Sequence, residues 1–128
     1  MIRSIAVFQR DLPAGYDGLF MWDFLKGAFG PTIMPMDFDA VVERRGSLLV
    51  FETKAPGTVI PAGQRGTLEA TLRDARWTAV LCAKRPEDIQ HWDVWTRKAR
   101  TRHVGGADAL YTWCQAWYED KNDRDPIW

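Results

Sequence analysis

The sequence predicts an α/β chain with a mixed β-sheet flanked by helices, and three observations carry that expectation. Residues 48–54, LLVFETK, and 77–83, WTAVLCA, are apolar on both faces, as strands are in the middle of a sheet covered on both sides. Residues 64–75, QRGTLEATLRDA, lie between them with Leu68 and Leu72 four apart, a helical spacing. Residues 107–120 place Leu110, Trp113, Cys114 and Trp117 at i, i+3, i+4 and i+7, one apolar stripe along a helix.

The other elements follow in chain order. Residues 1–15 hold one short apolar stretch, Ile5 to Phe8, before the turn signal Asp11-Leu12-Pro13-Ala14-Gly15. Residues 16–29 carry Leu19, Phe20, Trp22, Phe24, Leu25 and Phe29 at a spacing that suits a helix, which Gly30-Pro31 stops. Residues 36–44 alternate, with Met36, Phe38, Ala40 and Val42 opposite Asp37, Asp39, Val41 and Glu43. Arg45-Gly46-Ser47 turns this strand into 48–54. The two Pro and two Gly of 55–63 make a loop, and 85–88 another turn. Residues 89–97 alternate again, with Trp92, Val94 and Thr96 opposite Asp93, Trp95 and Arg97. Gly105-Gly106 opens the last helix, where Asp108 suits the positive end of the helix dipole. The expected order is helix, strand, strand, helix, strand, strand, helix, with a polar, frayed tail.

Composition narrows the function classes. A length of 128 residues fits one domain, 1–128, with one ordinary core. Seventeen basic and 17 acidic residues cancel, which excludes a histone-like binder but leaves room for a local basic patch. Cys82 and Cys114 form no CxxC pair, so neither a disulfide scaffold nor a Cys-based zinc finger is expected. His91 and His103 lack zinc-ligand spacing. Both thiols fall at apolar positions and are expected to be inert core, as are Trp22, Trp77, Trp113 and Trp117. No apolar run approaches the ~18 residues of a membrane span, and the N-terminal apolar stretch is short for a signal peptide. A cytoplasmic protein without a membrane partner is expected, and the compact size suits a phage-type protein in its host's cytoplasm.

The informative stretch is MDFDAVVERRGSLLVFETKAPG. Two strands joined by a tight turn hold side chains at fixed heights on a shared face. Glu52 and Lys54 are two apart and point the same way, and Asp39 can meet Glu52 across the hairpin. Two carboxylates and an amine at the end of a buried strand are costly to desolvate. A hard divalent cation resolves that cost, since Mg²⁺ takes one or two carboxylates and leaves places for water and phosphate. Lys54 is then placed to orient or deprotonate a water.

Asp39, followed thirteen residues on by Glu52-Thr53-Lys54, with Pro35 upstream, resembles the PD-(D/E)XK nuclease superfamily. The resemblance covers about 16–83. It implies a restriction-endonuclease-like core of helix, three strands, helix and strand, here extended by a C-terminal strand and helix over 89–120. One core strand is missing from the reading above, with 3–8 and 31–36 as its candidates. The resemblance implies that Asp39, Glu52 and the Thr53 carbonyl hold Mg²⁺, with Mn²⁺ as substitute. It implies that Lys54 contacts the water and the scissile phosphate, and that Gln64, opening the next helix, orients one of them. Asp23 matches the place of an extra acid in some members. Pro35 is not adjacent to the acid, as it is in the family's pattern, and Asp37 competes with Asp39 for the ligand role; the spacing to Glu52 favours Asp39.

The implied activity is Mg²⁺-dependent phosphodiester hydrolysis in DNA. The alternative is a catalytically idle protein of the same fold that binds nucleic acid or a protein partner. Residues 96–103, TRKARTRH, hold Arg97, Lys98, Arg100 and Arg102 without an acid, a composition suited to a phosphate backbone. Trp92 and Trp95 precede them, and aromatic next to basic is the single-strand stacking combination. The bland alternative is a solvated strand and loop with both Trp residues in the core. A homodimer would supply a second basic face, as in the branched-DNA resolvases of the superfamily.

Overall fold

The computed structural model describes residues 22–55 and 57–126. The chain divides into two compact units, Met1–Asp37 and Phe38–Trp128.

In the first unit the helix expected over 16–29 does not form across 23–29. A single 3-10 turn, Asp23–Leu25, is followed by a bridge between Gly27 and Gly30. Both glycines sit at left-handed φ, 87° and 91°, which a right-handed helix cannot contain. Residues 16–21 lie outside the described residues. Trp22, expected in the core, is exposed. Residues 33–38 have no regular structure, so no strand forms at 31–36, and the other candidate, 3–8, lies outside the described residues.

The second unit carries the sheet. Its elements are β1 Ala40–Arg44, β2 Ser47–Lys54, α1 Ala62–Thr71, β3 Trp77–Ala83, β4 His91–Trp95, β5 Arg100–Val104 and α2 Ala107–Asn122. The five strands lie in chain order. All neighbours pair antiparallel except β2 and β3, which α1 connects in parallel. The sheet is thus mixed, as expected.

The β1–β2 hairpin has a two-residue turn, Arg45 at φ 50° and Gly46 at φ 85°. Positive φ at both positions is the twist-matching turn that two-residue hairpins prefer. The Gly46 N–H donates to Glu43 Oε2 at 2.7 Å. β1 is shorter than the alternation over 36–44 suggests, for a reason at Asp39: its side chain, and not a continued strand, takes the Thr53 N–H of β2.

One strand was absent from the sequence reading. β5 occupies most of the basic segment, and a short turn at 96–99 joins it to β4. Thr96 holds that turn, its Oγ1 accepting from the N–H groups of Lys98 and Ala99 at 3.3 and 3.2 Å.

The two sheet faces bury two apolar clusters. One joins Leu49, Val80, Cys82, Trp92 and Val94 to Leu110 and Trp117 of α2. The other joins Val50, Ala79 and Leu81 to Leu68 and Leu72, from α1 and its C-cap. Trp117 is buried and Trp77 and Trp113 pack at the cluster edges, as their positions suggested. Burial pushes the Cys82 thiol up to about 11, helped by Cys114 and Asp39, and burial raises Cys114 as well.

Candidate active site

Register places the expected residues on the face that α1 covers. Leu81 pairs with Glu52 on one side and Asp93 on the other, and Asp93 pairs with Arg102. These four residues form a row across four strands. Lys54 lies two residues beyond Glu52, beside Ala83, and His91 two residues from Asp93. The apolar cluster under α1 occupies Val50, Ala79 and Leu81, and beyond it, toward the carboxyl ends of the two parallel strands, the same face carries Glu52 and Lys54 on β2 beside the small Ala83 on β3. The crevice outside the carboxyl ends of parallel strands is where open α/β sheets bind ligands.

Asp39 and Glu52 meet there. The Asp39 carboxylate accepts from Thr53 twice, from its N–H at 2.6 Å and its hydroxyl at 2.8 Å. Glu52 is only 5% exposed. Burial first, and the Asp39 carboxylate second, push its carboxyl up to about 7. The dyad is a negative site waiting for positive charge or a proton.

Lys54 opens onto a cleft of about 570 Å³. His91, Asp93 and Arg102 line it, with Thr58 and Asp88 on its walls. Asp93 accepts from Arg102 through Nε at 2.8 Å and Nη2 at 3.1 Å, a two-point pair. That bond, then the charges of Arg102, His91 and Lys54, hold the Asp93 carboxyl below its ordinary range. Asp93 is two strands from β2, about 10 Å at the usual strand spacing, and it shares with Lys54 the cleft that both line.

The remaining expected residues scatter. Gln64 is half-buried in the first turn of α1 and is not among the residues lining the Lys54 cleft. Asp37 and Asp23 are exposed and belong to the first unit. Among the described residues no group of three or more His, Cys, Asp or Glu side chains gathers to hold a metal; the expected ligand set has two carboxylates and a carbonyl and is smaller than that.

The basic segment divides in two. Arg102 faces the Lys54 cleft. Arg100 instead stacks its guanidinium over the Trp95 ring at 4.1 Å and donates to Glu69 at 2.8 Å. Trp92 is buried against His103, their ring centroids 5.4 Å apart. Neither indole therefore presents an open face for a base.

Sequence reasoning missed His91 and Asp93. The signal was present in the polar side of the alternating strand 89–97, but its pairing with Leu81 was not readable. No family model matches the chain, and neither a curated protein nor a solved structure does. No helix among the described residues is long and apolar enough to cross a membrane.

Proposed function

We propose that this chain is a metal-dependent nuclease that hydrolyses phosphodiester bonds in DNA, with its centre at Asp39, Glu52 and Lys54. One observation carries the reading: Glu52, 5% exposed and with its carboxyl pushed up by burial and by Asp39, stands against that second carboxylate with Lys54 two residues on. A buried carboxylate beside a second, exposed one is destabilising by like-charge repulsion, and a hard cation is the ligand that turns the pair favourable. The donor set fits Mg²⁺, with Asp39, Glu52 and the Thr53 carbonyl as the protein ligands. When bound, the ion supplies Lewis acidity to a water and to the phosphate.

The residues of the chain do the rest. Thr53 fixes the Asp39 carboxylate through two hydrogen bonds, leaving its other oxygen for a ligand. Lys54 holds positive charge at the mouth of the cleft, where charge develops on a phosphate under attack. Asp93 holds the Arg102 guanidinium on the far wall, where its free N–H groups can receive a phosphate oxygen. Gln64, in the first turn of α1, is assigned the orientation of water or phosphate.

The segment β1–β2–α1–β3, with β2 and β3 parallel, supports a restriction-endonuclease-like core. A second reading is an idle site that binds DNA without cutting. Its support is that one Asp39 oxygen is already occupied by Thr53.

The test is cleavage of labelled linear, single-stranded, nicked and four-way-junction DNA in Mg²⁺, Mn²⁺ and EDTA. Metal-dependent cutting that Glu52→Ala and Lys54→Ala both lose is the expected result. A folded wild type that cuts no substrate in either metal rejects the nuclease.

A further inference from the structure

A second cleft, of about 480 Å³, lies on the same sheet side, at the opposite end of β3. Arg73, Arg97, Lys98 and Arg100 line it, against one acid, Glu69. Glu69 is committed: Arg65 donates to it at 2.9 Å and Arg100 at 2.8 Å. Those two bonds, Arg100's first, hold its carboxyl below the ordinary range. Arg73, Arg97 and Lys98 have no acidic partner among the described residues. Like charges gathered around one cleft repel, and an anion seated among them removes that cost.

The backbone that carries these charges is also held in place. Arg97 and Lys98 sit on the 96–99 turn, which Thr96 closes with its hydroxyl and with its own N–H, 2.9 Å from the Ala99 carbonyl. Arg100 is clamped between Glu69 and the Trp95 ring. A planar guanidinium fixed in this way loses little freedom on meeting an anion.

The cleft's distance from the candidate active site says which anion. Trp95 pairs with Ala79, and Lys54 with Ala83, four residues farther along β3. Arg97 is two residues beyond Trp95. At ~3.3 Å per strand residue and ~4.8 Å per strand, Lys54 and Trp95 are about 16 Å apart, and with the cleft lying past Trp95 at the 96–99 turn the two basic sites are about 20 Å apart. That is about six phosphate steps of a B-form strand. From this we propose that the Arg73–Arg97–Lys98–Arg100 cleft is a second phosphate-binding site, which holds the backbone of a DNA about six nucleotides from the bond at Lys54. The proposal rests on the nuclease reading and deepens it: the substrate is a polynucleotide long enough to reach both clefts. Because no indole face is open here, the contact reads phosphate and not base.

Binding and cutting test the two claims separately. Fluorescence anisotropy in EDTA would measure the affinity of the full chain for single- and double-stranded oligonucleotides of roughly 4, 8 and 16 nucleotides per strand, across a salt series. Wild type is expected to bind the two longer lengths much more tightly than the shortest. The Arg97→Ala/Lys98→Ala variant should lose that length dependence and flatten the salt slope by about 2. Arg73→Ala, on a different element, should flatten it by about 1. A wild type that binds no DNA, or a double variant with the wild-type slope and length dependence, overturns the site. Cleavage is then assayed in Mg²⁺ on the same oligonucleotides. Its absence, with the binding pattern as expected, rejects the nuclease and leaves the phosphate site standing.

Discussion

Glu52 sits at the C-terminal end of a strand whose preceding residues are apolar, and its surroundings set its chemistry. Its carboxyl titrates near 7 when folded and near 4.5 as a free side chain. The folded chain therefore holds this proton more tightly than the unfolded one. Stability is undiminished below about pH 4.5, falls as pH rises, and reaches its full penalty above pH 7. The penalty is about 3 kcal/mol from the size of the shift. Urea unfolding in EDTA should find Glu52→Gln more stable than wild type at pH 8 by up to that amount, and equal to it near pH 4. Equal stabilities at pH 8 would contradict a Glu52 carboxyl raised by burial and by Asp39. Asp39→Asn should shift the wild-type transition to lower pH, because it removes the neighbouring charge. Adding Mg²⁺ at pH 8 should raise the melting temperature of wild type and leave Glu52→Gln unmoved, since a ligand stabilises only the state that binds it. The residue types at this site were legible in the sequence, as was the Asp39–Glu52 spacing. The grip of Thr53 on Asp39 was not, because it depends on where β1 stops pairing.

Among the elements, the hairpin and the last helix show where local chemistry decides. Arg45 at φ 50° is a bulky residue in the left-handed region, which costs about 1–2 kcal/mol. Arg45→Gly should recover part of that, about 0.5–1 kcal/mol by thermal or chemical denaturation. Gly105 is the opposite case. A Cβ there would lie 2.6 Å from the Ala109 Cβ of α2 and against the Trp92 ring. Gly105→Ala should destabilise by about 1–3 kcal/mol, read as a lowered urea midpoint with an unchanged slope. The turn after 44, the buried strands β2 and β3 and helix α2 were all visible in the sequence, because glycine placement and apolar period are local signals. The segment 100–104 was not read as a strand. Its alternation is Arg-Thr-Arg-His-Val, and at a sheet edge only His103 meets a buried ring, so hydrophobic period carries almost no information. In 22–29 the reverse error arises: aromatic spacing suggested a helix, and the left-handed glycines break it.

Across the sheet-bearing unit, stability comes from two apolar clusters on opposite faces. Leu49 is 2% exposed in one and Leu68 1% exposed in the other. Leu49→Ala and Leu68→Ala should each cost about 2–5 kcal/mol, and the double variant should cost their sum within about 0.5 kcal/mol, because the sheet separates them. Strong coupling between them would mean that the sheet does not insulate its faces.

The sequence by itself determined the alternating and buried strands, the helix between the two buried strands, the helix from 107 to about 120 and the acid–acid–lysine set, since each depends on residue types at fixed local spacing. Tertiary structure alone decided that Asp93 and His91 share a cleft with Lys54, that Arg102 turns to that cleft while Arg100 turns to Glu69, and that Arg73 joins Arg97 and Lys98. These pairings depend on strand register and on the packing of α1 over the sheet. Both bring together residues far apart in the chain, and no local period records which of them meet.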